Sequence, residues 1–516
     1  MKKLLCALAV LAASQFSQAE IKPIGGINVK PADAITIKVK PNSVLREQFP
    51  ETFFGFNINF KSFQDQLWDG TQHQVYPKVL RDLSQFKPAV YRYPGGLVGN
   101  SFSWDDAIGA LSSRRLQDTI FKSPPKKAYF GVDEYLRFLD EVGGEFLYVL
   151  NIVNTNPLKP LDEAPIEDVA AKNKALAEYL VKKMGSQPRY YQLGNELDRS
   201  KYEWAPEKYA ARAKAVADAI RSVDKDAHFI AFMRDFTWTY KKDKSRGVSS
   251  PDSYLKSAMN DLPGIDIYSV HHYYNGKRED HRSRAISFWM RHLEQSIKSY
   301  QQLRGNDPEV WITEHARQMS SAKPTKDLTV QYTSNLGGAL ATADYLITLA
   351  QVPQVKSTVW HALNAGPWQM FDATVKHKDL RPRPIYYGFR TLQQMDLPMV
   401  LDTRTASTNV SGNQNGYDVR AVGFTDANMQ TLGLWAVNHS SQPQTVTVQF
   451  NPLKSQAVNI DRWFISGPKG ISPDDLSLEL SEGMQTSSGK GSFAADGTIT
   501  LELPPTSVST IKINPS

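Results

Sequence analysis

Between residues 53 and about 363 the chain repeats one pattern, a short run of β-branched and aromatic residues followed by a longer stretch of helical period. Eight such runs can be counted, at residues 53–60, 89–93, 145–153, 189–193, 228–232, 265–270, 309–313 and 355–360. Short apolar strands alternating with helices are the mark of consecutive β-α units around a parallel sheet. Helical spacing is clearest over Ile166–Met184 and over 206–223, which opens on a first-turn proline with Glu207 beside it. Weaker or longer patterns at 133–141, 283–303 and 328–350 complete the alternation. Eight strands with crossover helices predict an α/β fold of the closed (β/α)8 TIM barrel type rather than an open doubly wound sheet. The glycines at 95, 96 and 99 do not read G-x-G-x-x-G, so the dinucleotide alternative lacks its fingerprint.

Past Pro384–Leu392, the expected last barrel helix, strand-like runs recur at short spacing between turn residues, at 417–422, 431–437, 445–450, 476–480 and 498–503. They predict a C-terminal β-sandwich. Residues 35–40 alternate apolar and polar and are expected to pair with that sandwich. The expected organisation is therefore a leader at 1–19, an N-terminal strand segment at 20–50, a catalytic barrel at 51–395 and the sandwich at 396–516.

The single cysteine, Cys6, lies in a stretch with Lys2 and Lys3, a short apolar run, and small residues at Ser17 and Ala19. That is the layout of a secretory signal cut before Glu20, so the expected location is periplasmic or secreted. A chain without Cys6 has no disulfide, no thiol nucleophile and no Cys-ligated zinc or iron–sulfur centre. No stretch approaches the ~18 apolar residues of a spanning helix. The net charge of +7, or +5 without Lys2 and Lys3, is scattered along the chain. With no arginine-rich arm and no aromatic-basic platform, nucleic acid is not an expected partner. No cofactor is expected, and the composition leaves the oligomeric state open.

In such a barrel the reacting groups sit at the C-terminal ends of the strands. Two of those ends carry glutamate: the fourth run closes Gln192-Leu-Gly-Asn-Glu196-Leu-Asp198 and the seventh closes Trp311-Ile-Thr-Glu314-His315. One glutamate after a strand is ordinarily a solvated loop charge. Two on opposite arcs of the ring can face each other across the mouth, which is what glycoside hydrolysis needs: an acid for the leaving oxygen and a carboxylate for the anomeric carbon. Asn195, beside Glu196, could hold a sugar hydroxyl. His271 and His272 have no H-E-x-x-H context, so no metal site is expected and hydrogen bonding to a catalytic carboxylate is the better reading. Trp104, Trp360 and Trp368 are candidate sugar-stacking faces, with Trp360, at the end of the eighth strand, the best placed.

The Asn-Glu and Glu endings resemble the retaining glycoside hydrolases of clan A. Four passages are similar to the family 51 α-L-arabinofuranosidases: Tyr91-Arg-Tyr-Pro-Gly-Gly96 continuing through Trp104-Asp-Asp-Ala-Ile-Gly109 to Arg114-Arg-Leu116; Leu193-Gly-Asn-Glu-Leu-Asp198; Ser269-Val-His-His-Tyr273; and Trp311-Ile-Thr-Glu314. The resemblance implies Glu196 as acid/base, Glu314 as nucleophile, Asn195 as the 2-hydroxyl contact, and Arg92, His271 and Tyr273 around the nucleophile, with a glycan as substrate. A cation or tyrosine beside Glu314 would keep it charged, whereas Glu196 should be held protonated by a drier setting or by the charge on Glu314. Residues 271–280 also resemble the corresponding loop of the family 79 heparanases and β-glucuronidases, and Lys277, Arg278 and Arg282 would suit an acidic glycan. The alternatives are thus an endo-β-glucuronidase and a non-catalytic carbohydrate-binding protein.

Overall fold

The computed structural model describes residues 29–118, 124–199, 201–233, 260–265, 267–275, 285–318, 326–372, 380–410, 416–471 and 483–516. The leader at 1–19, the strand expected at 476–480, and Lys277, Arg278 and Arg282 lie outside these residues.

Eight parallel strands close into a barrel in chain order: Phe54–Asn57, Val90–Tyr93, Glu145–Val149, Arg189–Gln192, Ala227–Phe232, Ile267–Tyr274, Glu309–Arg317 and Val355–Trp360. The last pairs with the first through Thr358 opposite Phe54 and Trp360 opposite Phe56. The (β/α)8 reading of the sequence therefore holds, and the helices Ile166–Met184 and Pro384–Leu392 have the bounds that the pattern gives. The sixth and seventh strands run further than their apolar stretches, to Tyr274 and Arg317, so Glu314 lies within a strand and not after one. The helix expected at 328–350 is two, Lys326–Ser334 and Leu336–Ala350, parted at the extended residue Asn335.

The period of two along each strand builds the barrel interior. Val90, Leu147, Ile230, Ile267, Trp311 and Val359 point inward as one apolar layer, with Tyr190 packed against it. Their neighbours Tyr91, Phe146, Tyr191, Tyr268 and Ile312 point outward into the larger core beneath the helices. Two residues beyond the inward layer stand Arg92, Gln192, Thr313 and His361. A polar storey thus rests on an apolar plug at the C-terminal mouth.

The second domain is a ten-stranded, mostly antiparallel sheet folded over a core of its own. The N-terminal strand Ile35–Arg46 lies inside that sheet, antiparallel to Met399–Ser407 and parallel to Gln444–Gln449. Its alternation fits this place: Ile35, Ile37 and Val39 are buried in the sandwich core while Thr36 and Lys38 face out.

The helix Leu336–Ala350 joins the two bodies. Every residue from Gly338 to Ala350 is buried, as a helix apolar on all sides must be when protein covers it all round. Its one acid, Asp344, meets Arg420 Nε at 3.0 Å and His439 Nε2 at 3.1 Å, both from the sandwich. At its C-terminus the carbonyls that no helical N–H can reach are taken by Arg46. That guanidinium donates to the carbonyls of Leu349, Ala350, Val352, Pro353 and Val355, at 2.8 Å for Ala350 and 2.7 Å for Val355. Arg46→Met should cost about 2–3 kcal/mol, because it leaves buried carbonyls unpaired. Calorimetry should read this as a fall of several degrees in Tm, with kcat little changed.

Candidate active site

The inward residues converge on one buried cation. Arg92 Nε donates to Gln192 Oε1 at 2.7 Å, Nη1 to Asn57 Oδ1 at 2.6 Å and to Glu314 Oε1 at 2.9 Å, and Nη2 to Asn195 Oδ1 at 2.6 Å. The side chain is wholly buried, so its charge survives only because each of its faces is matched. Asn57 also donates to the carbonyl of Thr313 at 3.0 Å, tying the first strand to the seventh.

Glu314 comes to face this cation through a break in register. Val270 pairs with Ile312 but His271 pairs with Glu314, so Thr313 is an extra residue on the seventh strand. Such a bulge re-aims side chains. Here Thr313 and Glu314 both reach the interior, Thr313 to His271 and Glu314 to Arg92. Tyr273, two residues beyond His271 on the same face, donates to Glu314 Oε2 at 2.5 Å. Burial alone would raise the Glu314 pKa, but His271, His361 and Arg92 nearby and the Tyr273 hydrogen bond outweigh it and hold the carboxyl well below its usual range. Gly96 closes the other side, because a Cβ there would come within 2.6 Å of Glu314 Oε1.

Glu196 arrives by a strained turn. After the fourth strand Gly194 has φ +79° and Glu196 itself φ +48°, the left-handed region that a side chain rarely adopts. This turn lets adjacent side chains serve one site: Asn195 bonds Arg92 while Glu196 Oε1 meets His271 Nδ1 at 2.7 Å. The backbone of Asn195 is pinned in both directions by Asn100, which accepts from its N–H at 2.8 Å and donates to its carbonyl at 2.6 Å. His271 stands between the carboxylates, its Nδ1 also 3.5 Å from Glu314 Oε2. A carboxylate only accepts, so Nδ1 carries a proton toward Glu196, while Nε2 lies 3.0 Å from the Thr313 hydroxyl. Ligating atoms of Glu196, His271 and Glu314 all lie within 4.8 Å of one another. Arg92, Tyr273 and Arg199 already engage both carboxylates, so this donor set reads as an acid–base site and not as a metal site.

One electrostatic expectation is overturned. Glu196 was to be held protonated, yet Arg199 Nη1 lies 2.6 Å from its Oε1. Burial pushes the Glu196 pKa up, but Arg199 and His271 outweigh both burial and the charge of Glu314, so the carboxyl sits below its usual value.

Of the residues singled out from sequence, Arg92, Asn195, Glu196, His271, Tyr273 and Glu314 come together. Trp360 does not. It is wholly buried, with its ring 6.3 Å from Phe389 on the last helix. Parity decides this: Trp360 pairs with the outward-facing Phe56, and the next residue, His361, turns in to within 3.8 Å of Glu314 Oε2. Trp104 packs on the helix Ile166–Met184, its indole N–H donating to the carbonyl of Lys172 and its ring 5.5 Å from Tyr179. Trp368 is the tryptophan beside the site, 4.9 Å from His361 and 5.5 Å from Tyr273 between ring centres. His272 faces away from His271, stacked on Trp289 and bonded to the Tyr345 hydroxyl at 2.6 Å. Asn57, Gln192, Arg199, Thr313 and His361 were not singled out. For all but Arg199 the signal was available as the inward parity of the strands.

Residues 82–291 match the family model described as alpha-L-arabinofuranosidase 1 domain, a span that holds Arg92, Asn195, Glu196, His271 and Tyr273. Alpha-L-arabinofuranosidase C of Emericella nidulans is 27% identical over 211 residues, 37% of this chain and 40% of that protein. The probable alpha-L-arabinofuranosidase C of Aspergillus terreus is 27% identical over 277 residues, 49% of this chain and 52% of that protein. The chain thus spans about half the length of the curated relatives it matches, or less. The crystal structure of the α-L-arabinofuranosidase from Thermotoga maritima with arabinose superposes with a TM-score of 0.72 at 14% identity, over 93% of this chain and 99% of that one. Barrel and sandwich together are therefore a fold shared with family 51 α-L-arabinofuranosidase structures.

Gly96→Ala should displace the Glu314 carboxylate and lower turnover about 10²-fold. Steady-state kinetics beside a thermal melt would check this, with Tm expected to move by only a few degrees.

Proposed function

We propose that this chain is a retaining glycoside hydrolase acting on glycans that carry α-L-arabinofuranosyl groups. The observation that carries the reading is the convergence of the two carboxylates, with one oxygen of Glu196 and one of Glu314 within 4.8 Å of each other at the barrel mouth. So close an approach favours retention, which brings the carboxyl groups to roughly 5–5.5 Å, over inversion, which holds them roughly 6.5–9.5 Å apart to seat a water.

The two carboxylates have different settings, which support different roles for them. Glu314, held charged by Arg92 and Tyr273, attacks the anomeric carbon as the bond to the leaving oxygen breaks. Glu196 gives its proton to that oxygen, and a glycosyl ester forms on Glu314. Once Glu314 is esterified its negative charge no longer opposes ionisation of Glu196. The carboxylate of Glu196 then takes a proton from water, which attacks the same carbon and releases the sugar with its original configuration. Asn195 is fixed through Oδ1 by Arg92, so its Nδ2 is the group it offers to the sugar 2-hydroxyl. Trp368, half-buried beside Tyr273 and His361, offers an indole face at the rim.

Glu314→Gln and Glu196→Gln should each lower kcat on an aryl α-L-arabinofuranoside by at least about 10³-fold. With azide the Glu196→Ala variant should regain activity and give the azide of retained configuration, read by NMR. A first-formed sugar of inverted configuration from the wild type would overturn the reading.

We infer also that the enzyme is exported, on the strength of Lys2, Lys3, the apolar run and the small residues Ser17 and Ala19. N-terminal sequencing of protein recovered from the periplasm or medium should begin at Glu20. Recovery from the cytoplasm with residues 1–19 intact would contradict it.

A further inference from the structure

The ion pair between Arg199 and Glu196 is an obstacle to the proposed reaction. The first step needs Glu196 protonated and Glu314 charged. The resting site instead places on Glu196 Oε1 a guanidinium nitrogen at 2.6 Å and His271 Nδ1 at 2.7 Å. Among the described residues the other groups that act on it are Glu314 from the seventh strand, Arg92 from the second, Tyr273 from the sixth and His361 just past the eighth. Of the two arginines Arg92 cannot leave, being wholly buried and bonded on every side. Arg199 can: it is 27% exposed, it sits in the turn after the fourth strand, and among the described residues its other ion pair is a looser one, Nε to Asp198 Oδ2 at 3.9 Å.

A neutral substrate that displaced Arg199 would strand a cation at the mouth. An anionic one would give it a new partner, and a bidentate one if the anion is a carboxylate. The position of the anion also follows. Glu196 protonates the leaving oxygen, so a group that reaches the arginine beside Glu196 belongs to the leaving side of the bond and not to the sugar that is released.

We propose that Arg199 is a specificity residue that receives a carboxylate on the leaving side of the substrate and, in turning to it, frees Glu196 to act as the acid. This rests on the hydrolase reading above and deepens it: the preferred substrate bears its arabinofuranosyl group on a uronic-acid-containing glycan. Binding and catalysis are then linked by exchange of one ion pair for another, with no net loss of charge pairing.

The test uses two aryl α-L-arabinofuranosides that differ only in carrying a carboxylate or a carboxamide on the phenyl ring. The quantity read is the charged-to-neutral ratio of kcat/KM, compared between wild type, Arg199→Met and Arg199→Lys, so that intrinsic leaving-group differences cancel. Arg199→Met is expected to lower that ratio about tenfold or more, with Arg199→Lys between the two. Activity that requires protonated Glu196 falls as pH rises through its pKa. Removing the guanidinium raises that pKa, so the alkaline limb on the carboxamide substrate should move to higher pH in Arg199→Met. An unchanged ratio, or an alkaline limb that stays where it is, would overturn the proposal. A second arm does not need turnover: NMR titration of the Glu196 carboxyl, assigned with Glu196→Gln, with and without glucuronate. The midpoint should rise with glucuronate in the wild type and not in Arg199→Met, and a wild-type midpoint that ignores glucuronate would also overturn the proposal. Failure of the hydrolase reading would show separately, as no turnover of either glycoside by the wild type.

Discussion

A single guanidinium sealed inside the barrel mouth, that of Arg92, sets the positions of the groups around it. Its acceptors come from the first strand (Asn57), the fourth strand (Gln192), the turn after it (Asn195), and the seventh strand (Glu314). Burying such a charge is costly unless every face is paired, so the cation specifies where those side chains must stand. The one anion among them is the carboxylate proposed as nucleophile, and His271, His361, Arg92 and the Tyr273 hydrogen bond together keep Glu314 charged in a setting whose burial favours its neutral form. The proposed acid lies outside this arrangement, on a left-handed residue and beside the partly exposed Arg199. One carboxylate is held by a sealed cation and the other by one at the surface, and the proposed chemistry uses that difference.

The strand that carries Glu314 is braced from outside as well. Facing away from the mouth, His272, Tyr274 and His315 pack with Tyr345 of the helix Leu336–Ala350. Burial and the neighbouring His272 and His361 push the His315 pKa down to about 3, so His315 stands there as a neutral imidazole. The same helix is locked to the sandwich through Asp344, Arg420 and Arg46. The second domain thus supports the wall that positions Glu314.

Much of this could be read in the sequence, because two signals are strong in it. The alternation of strand and helix fixes the barrel, and the ends of strands four and seven point to Glu196 and Glu314. The errors have physical causes. Trp360 was chosen by its position at a strand end, whereas the side-chain parity of two, visible from Val359 inward and Trp360 outward, gives the place to His361. The bulge at Thr313 leaves no mark in the composition, so the length of the seventh strand was missed. Arg199 has no periodic signal, since it lies in a turn whose path depends on the left-handed conformation of Glu196. That contact reversed the expected direction of the Glu196 pKa.

The account turns on which carboxylate bonds to the sugar, and a covalent label reads this directly. An arabinofuranose-configured cyclitol epoxide alkylates the nucleophile of a retaining enzyme, and peptide mass spectrometry locates the adduct. The account predicts one adduct per chain on Glu314, absent from Glu314→Gln. An adduct on Glu196, or none in an enzyme that turns over arabinofuranosides, would contradict it.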